Sequence, residues 1–197
     1  DDNIAVSWNG IGSSGNGVVI SQAGEFSAAT SINAFGASDN GALIAQGSSS
    51  FLSFALALVT GDDNGARIIQ DGPVNFATVL QSGDGNGAGV TQLGALNLGW
   101  VDQSGDENAA ALGQLGVANF NSVVQNGDDN LAIVGQAGLA NYAFTRQSGD
   151  MNFALVGQVG VGNDSQIRQN GDMDSAAVLQ VGTGNTVSYT HLTLPTS

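Results

Sequence analysis

Polar and apolar residues alternate along most of this chain with a period of two, and the pattern restarts at every eleventh position. Asn opens each unit at Asn64, Asn75, Asn86, Asn97, Asn108, Asn119, Asn130, Asn141, Asn152 and Asn163, with Asp174 and Asn185 in the next two slots. Six positions later stands Gln: Gln70, Gln81, Gln92, Gln103, Gln114, Gln125, Gln136, Gln147, Gln158, Gln169 and Gln180. Two further on is always Gly: Gly72, Gly83, Gly94, Gly105, Gly116, Gly127, Gly138, Gly149, Gly160, Gly171 and Gly182. The second position after Asn is Ala in eight of eleven units, and the fourth is Val, Ile or Leu in ten, Thr145 being the exception. The unit is N-x-A-x-V-x-Q-x-G-x-x. Fixed positions two apart match a strand and not a helix, so Asn, Ala, Val and Gln share one face. The x-G-x-x segment is a turn, with Gly where φ must be positive.

A second period lies over the first. Acidic turns (Ser82-Gly83-Asp84-Gly85, Ser104-Gly105-Asp106-Glu107, Asn126-Gly127-Asp128-Asp129, Ser148-Gly149-Asp150-Met151) alternate with apolar ones (Leu93-Gly94-Ala95-Leu96, Leu115-Gly116-Val117-Ala118, Ala137-Gly138-Leu139-Ala140). Two units together therefore make a 22-residue repeat: strand, acidic turn, strand, apolar turn. Repetition at such a period predicts a solenoid. The expected fold is all-β: a β-solenoid of stacked 22-residue rungs, two facing parallel sheets, amyloid-like.

Residues 64–185 hold the regular repeats and 16–63 a looser copy, in which Asn16, Val18, Ile20, Gln22 and Gly24 fit, as do Asn40, Ala42, Ile44 and Gln46. Small insertions such as Ser48 to Ser50 break the register there. Residues 1–15 read as a flexible Gly/Ser-rich segment. Asp1-Asp2-Asn3 lacks the basic start and apolar stretch of a signal peptide, so a secreted form would be the mature one. After Asn185 the phase requires Gln at 191, but His191, the sole His, stands there within Val187-Ser188-Tyr189-Thr190-His191-Leu192-Thr193-Leu194-Pro195. That string resembles translated sequencing-adapter read-through. We expect residues 186–197 to be an off-pattern tail of that origin, with the natural chain continuing differently.

Composition narrows the function. With Gly at 30 residues and aromatics at 6%, bulky core residues are scarce, and regularity has to replace bulk. Seventeen acids against three bases give a net charge of −14, which argues against nonspecific nucleic-acid binding and docking on anionic membranes. No Cys is present, so disulfides, thiolate metal sites and Cys nucleophiles are excluded. The longest apolar run, Phe51 to Val59, is too short to span a bilayer as a helix. No catalytic constellation assembles, and no cofactor is expected. Polysaccharide-cleaving β-helices need longer rungs and a groove of charged residues, and ice binding favours outward Thr columns, which are absent.

Rungs stacked about 4.8 Å apart pair every backbone N–H and C=O with the rung above and below. The Asn and Gln columns then form amide ladders satisfied only in register. An end rung with unpaired groups is a template for another molecule, and residues 174–185 show no helical, charged or Pro-bearing cap. Eleven in-phase units of N-x-A-x-V-x-Q-x-G-x-x resemble the curlin repeat of bacterial curli subunits, strongly over 64–185 and loosely over 16–63. The resemblance implies a secreted, extracellular biofilm-matrix amyloid that polymerises with itself. It also implies export unfolded through an outer-membrane channel and nucleation at the cell surface by a minor subunit. Near-uniform Asn at both strand starts, where enteric curlins often alternate with Ser, and the larger repeat number leave major subunit and nucleator both open.

Three residue sets carry further expectations. Asp62, Asp84, Asp106, Asp128, Asp150 and Asp172, with Asp63, Glu107 and Asp129 beside them, read as gatekeeper acids or turn contacts. The alternative is the calcium edge of an extracellular β-solenoid adhesin, whose nine-residue unit does not match this period. Phe76, Leu98, Trp100, Phe120, Tyr142 and Phe144 project outward from one sheet, as a lateral interface or as cross-strand stabilisation. The amides at Asn64 to Gln180 share parity with Ala and Val, which favours an internal ladder over a carbohydrate-binding surface.

Overall fold

The computed structural model describes residues 2–34 and 36–192. In chain order the strands are β1 (Ile4–Asn9), β2 (Gly17–Gln22), β3 (Ala28–Asn33), β4 (Gly41–Gln46), β5 (Phe54–Thr60), β6 (Gly65–Asp71), β7 (Phe76–Ser82), β8 (Gly87–Ala95) and β9 (Leu98–Ser104). They continue as β10 (Ala109–Val117), β11 (Phe120–Asn126), β12 (Leu131–Leu139), β13 (Tyr142–Ser148), β14 (Phe153–Val161), β15 (Asp164–Asn170), β16 (Ser175–Thr183) and β17 (Thr186–Leu192). Odd strands form a nine-stranded sheet and even strands an eight-stranded one, each in simple sequential order. Every pairing is parallel, and from Phe54 onward partners lie one 22-residue repeat apart, as in Phe76↔Leu98 and Gly87↔Ala109. This is the all-β solenoid with two facing parallel sheets that the repeat predicts.

The core is the thin layer between the sheets. Ala77, Val79, Val90, Val101, Val123, Ala143 and Ile167 are fully shielded, and Ala88, Ala110 and Leu112 nearly so. Alternation places them there: β9 runs exposed, buried, exposed, buried from Leu98 to Val101. Ala, Gly and Asn are poor strand formers in isolation. Here strand formation comes from stacking, because each strand is laddered on both sides by near copies of itself. Each turn also reaches its neighbour, as Glu107 N–H to Asp84 O and Ala118 N–H to Ala95 O, both at 2.9 Å.

Both ends hold strands that the eleven-residue template does not reveal. Residues 1–15, expected as a flexible segment, contain β1, paired with β3 from Ile4↔Ala28 to Asn9↔Asn33. Asn3, Ala5, Ser7 and Asn9 keep the template's parity but put Ser for Val and Asn for Gln, and the 24-residue step to β3 hides the phase. Similarly, Ala28↔Phe54 is a 26-residue step that accommodates the Ser48 to Ser50 insertion. At the other end Thr186–Leu192 stacks on β15 as β17, with Val187, Tyr189 and His191 in the Ala, Val and Gln slots. Tyr189 packs against the core. The rest of the expected tail, residues 193–197, lies outside the described residues.

Candidate functional site

The chemistry of this molecule is concentrated in columns that run along the solenoid axis. In the eight-stranded sheet the glutamines form one continuous chain: Gln22 Nε2 donates to Gln46 Oε1, then Gln46 to Gln70, Gln70 to Gln92, Gln92 to Gln114, Gln114 to Gln136, Gln136 to Gln158 and Gln158 to Gln180, at 2.7–3.1 Å. The nine-stranded sheet repeats this from Gln81 through Gln103, Gln125 and Gln147 to Gln169, at 2.9–3.1 Å. Each amide nitrogen also donates across the core to a backbone carbonyl of the facing sheet, as Gln92 Nε2 to Phe76 O and Gln103 Nε2 to Gly87 O. That second bond fixes which end of the amide is nitrogen. Every donor in both columns therefore points toward the later rung.

The asparagines serve the turns as well as each other. Asn86 Oδ1 accepts the Asn108 N–H at 3.0 Å, and Asn86 Nδ2 donates to Gly105 O at 2.8 Å. In the other column Asn119 Oδ1 accepts from Asn141 N–H and Nδ2 at 3.1 and 3.0 Å. From Asn64 to Asn163 all of these asparagines are buried, as are the glutamines from Gln70 to Gln180. A buried amide without partners costs about 1–3 kcal/mol. The columns thus hold neighbouring rungs to one register.

The glycines make close stacking possible. At Gly105, with φ of 110°, a β-carbon would run into the carbonyl oxygen of Gly127 on the next rung. The residue two positions on is also left-handed and is mostly not glycine: Leu96, Glu107, Ala118, Asp129 and Ala140 have φ of 54–59°. A template reading sees only the variable x there, so it misses this strain.

The acid column is a hydrogen-bonded series. The N–H groups of Asp62, Asp84, Asp106, Asp128 and Asp150 donate to the Oδ1 of Asp84, Asp106, Asp128, Asp150 and Asp172 at 2.8–3.0 Å. Each carboxylate caps the turn of the rung before it. Among the described residues no group of three or more His, Cys, Asp or Glu is placed to hold a metal ion.

Phe76, Leu98, Phe120 and Tyr142 stand in one column of the nine-stranded sheet, and Trp100 and Phe144 flank Ser122 in the next. Phe54 extends the first column: its ring stacks on Phe76 at 4.7 Å, and Phe120 stacks on Tyr142 at 4.9 Å. The same face carries charge, with the Arg168 guanidinium 5.8 Å from the Phe144 ring centre. Asp102 lies between Leu80 and Val124, where burial raises its carboxyl above the usual range.

Several buried polar groups break the pattern. Asn121 occupies an Ala slot, fully shielded, and neither end of its amide has a partner among the described residues. Thr145 Oγ1 and Ser165 Oγ are likewise unpaired. Gln81 Oε1 lacks a donor because the preceding rung has Val59 in the Gln slot. Their departure from the template is the signal available in the sequence. His191 pairs with Asp174, which stands in an Asn slot.

These columns define a structural β-solenoid whose repeated amides are turned inward, and no helix among the described residues is long and apolar enough to cross a membrane. The family model of the curlin associated repeat matches residues 61–94 and 140–171. Those two stretches carry curlin associated repeats, which support a curlin-repeat protein and, with the β-solenoid fold, indicate a structural role. No curated protein matches it.

Proposed function

We propose that this protein is a secreted subunit that polymerises head to tail into extracellular curli-like amyloid fibres of a biofilm matrix, serving adhesion and aggregation. One observation carries the reading: the parallel backbone ladders and the glutamine column from Gln22 to Gln180 run to the end strands of their sheets, where a second copy can continue them. The strands are parallel and in register, and both glutamine columns run their donors one way. A second copy stacked in the same direction meets donors with acceptors, whereas a reversed copy meets donors with donors. Growth is accordingly polar and heterologous, which yields an open filament. The curlin resemblance supports the remaining partners, a nucleating subunit and an outer-membrane secretion channel.

In this reading the buried amides at Asn64 to Gln180 act as the axial ladder, the turn glycines permit the rung spacing, and the Asp62 to Asp172 row tempers assembly by like-charge repulsion while capping turns. The Phe76 to Phe144 aromatics stabilise the sheet and offer one lateral surface. Protein diluted from denaturant should give fibres diffracting at about 4.7 Å along the axis and about 10 Å across it. A monodisperse monomer persisting for days at tens of micromolar would refute the reading.

A further inference from the structure

The two outer faces of the solenoid differ. On the nine-stranded sheet, aromatic side chains are interspersed with Asp102, Arg146, Asp164 and Arg168. On the eight-stranded sheet, from β8 to β16, no outward position is charged or carries an amide. Ile133 and Leu155 form an exposed ridge there, at 39% and 40% exposure. Beside it runs a furrow floored by Gly113, Gly135 and Gly157. Leu115 and Val159, at 57% and 49% exposure, bound the furrow on its other side. The face continues onto the apolar turns, while the acid row occupies the opposite edge of each rung.

We propose that this face binds the same face of a second copy, pairing two solenoids side by side through a dry interface. The occupant follows from charge, shape and area. A twofold axis parallel to the solenoid axis, running between ridge and furrow, sets the Ile133 and Leu155 ridge of each copy over the glycine furrow of the other. The contact is then isologous and self-complementary. The same operation puts the two acid rows on opposite edges of the pair, a strand length of roughly 23 Å apart or more, beyond a Debye length of about 8–10 Å. A perpendicular twofold would instead set ridge on ridge and acid row beside acid row. Five strands at about 4.8 Å, each presenting seven residues at about 3.3 Å, give roughly 550 Å² per copy. The total of about 1,100 Å² clears the roughly 1,000 Å² that a specific interface needs.

This lateral contact adds to the fibre reading, and two readouts separate them. In the Gly113→Glu, Gly135→Glu double variant the new side chains enter open space, since nothing lies within 4 Å of where either β-carbon would stand and neither residue has positive φ. The fold and axial growth are therefore retained, and only the furrow is blocked. A control adds the same charge to the other sheet as Ser104→Glu, Asn126→Glu. By scanning transmission electron microscopy, control fibres are expected to show twice the mass per unit length of a single solenoid, wild-type fibres at least that, and furrow-variant fibres half the wild-type value. Wild-type fibres one solenoid wide, or a furrow variant that keeps the doubled mass, would overturn the proposal. Should wild type form no fibres, sedimentation velocity decides it: a wild-type dimer with a monomeric furrow variant supports the pairing, and a wild-type monomer refutes it.

Discussion

Replacing one interior glutamine by methionine, Gln114→Met, isolates the contribution of the axial ladder, because Met is of similar length and accepts irregular packing. The substitution strands two buried groups, Gln92 Nε2–H, which donates to Gln114 at 2.8 Å, and Gln136 Oε1, which accepts from it at 3.1 Å. Asn119 O also loses Gln114 but keeps the N–H of Leu98. At about 1–3 kcal/mol for each of the two orphaned groups, less about 1–2 kcal/mol from burying apolar atoms in their place, the loss is roughly 1–4 kcal/mol. The ladder also dictates how pairs combine. Gln114→Met with Gln136→Met again leaves only two loose ends, Gln92 Nε2 and Gln158 Oε1, so the double variant costs about as much as either single one. Gln92→Met with Gln136→Met leaves four, on Gln70, both ends of Gln114, and Gln158, so its cost doubles. Urea unfolding of freshly refolded protein, followed by circular dichroism, measures all of these, with thioflavin fluorescence reporting elongation. Losses that add in full for both pairs would refute a continuous ladder that shares its bonds. So would a single variant that differs from wild type by no more than about 0.5 kcal/mol, the usual scatter between independent sites.

Four further outcomes are expected. Converting Asp84, Asp106, Asp128 and Asp150 to Asn keeps the Oδ1 acceptors of the turn bonds while removing four of 17 acids, so the assembly lag shortens with unchanged diffraction spacings; the Ala series also lowers unfolding stability, and calcium-dependent refolding of wild type would contradict the gatekeeper role. Asn121→Ala removes an unpartnered buried amide and restores the column of Ala77 and Ala143, raising stability by about 1–2 kcal/mol in urea melts. Asp102 binds its proton more tightly when folded, because burial raises its carboxyl, so its ionisation costs stability as pH rises through that raised value; Asp102→Asn stabilises at pH 7, and the gain vanishes in melts well below pH 3.8. Ala118→Gly relieves a left-handed residue at φ of 57° and raises the melting temperature, as Gly162 holds the matching slot two rungs on.

The regular half of the fold is legible in the sequence because its period, parity and turn residues agree, and parity alone assigns Asn, Ala, Val and Gln to the interior. The same parity does not distinguish the two kinds of amide. Gln reaches across to the opposite sheet, whereas the shorter Asn reaches its own turn, a difference set by side-chain length and turn geometry. Strand β1 escapes the template because Ser7 and Asn9 stand where Val and Gln are expected, although their alternation is intact. The acids read as a row of charge, while their hydrogen bonds to the preceding rung depend on backbone N–H directions that residue types do not encode. The apolar face of the eight-stranded sheet is hidden in the sequence because Ala and Gly carry no obvious apolar signal, and the aromatics of the other sheet dominate the pattern.

The near identity of the rungs has a consequence for how the chain finds one structure. A segment displaced along the axis by one whole 22-residue repeat re-forms its glutamine and asparagine bonds with the wrong neighbours, and such states lie close in energy to the native one. The irregular positions lift this degeneracy. Val59 in a Gln slot and the lengthened turn at Ser48 to Ser50, which sets a 26-residue step, have no equivalent one repeat away, so a shifted segment meets different partners there, and they act as addresses along an otherwise periodic track. A chain idealised at all of them would be sturdier rung by rung, yet would fold into a population of frames instead of one.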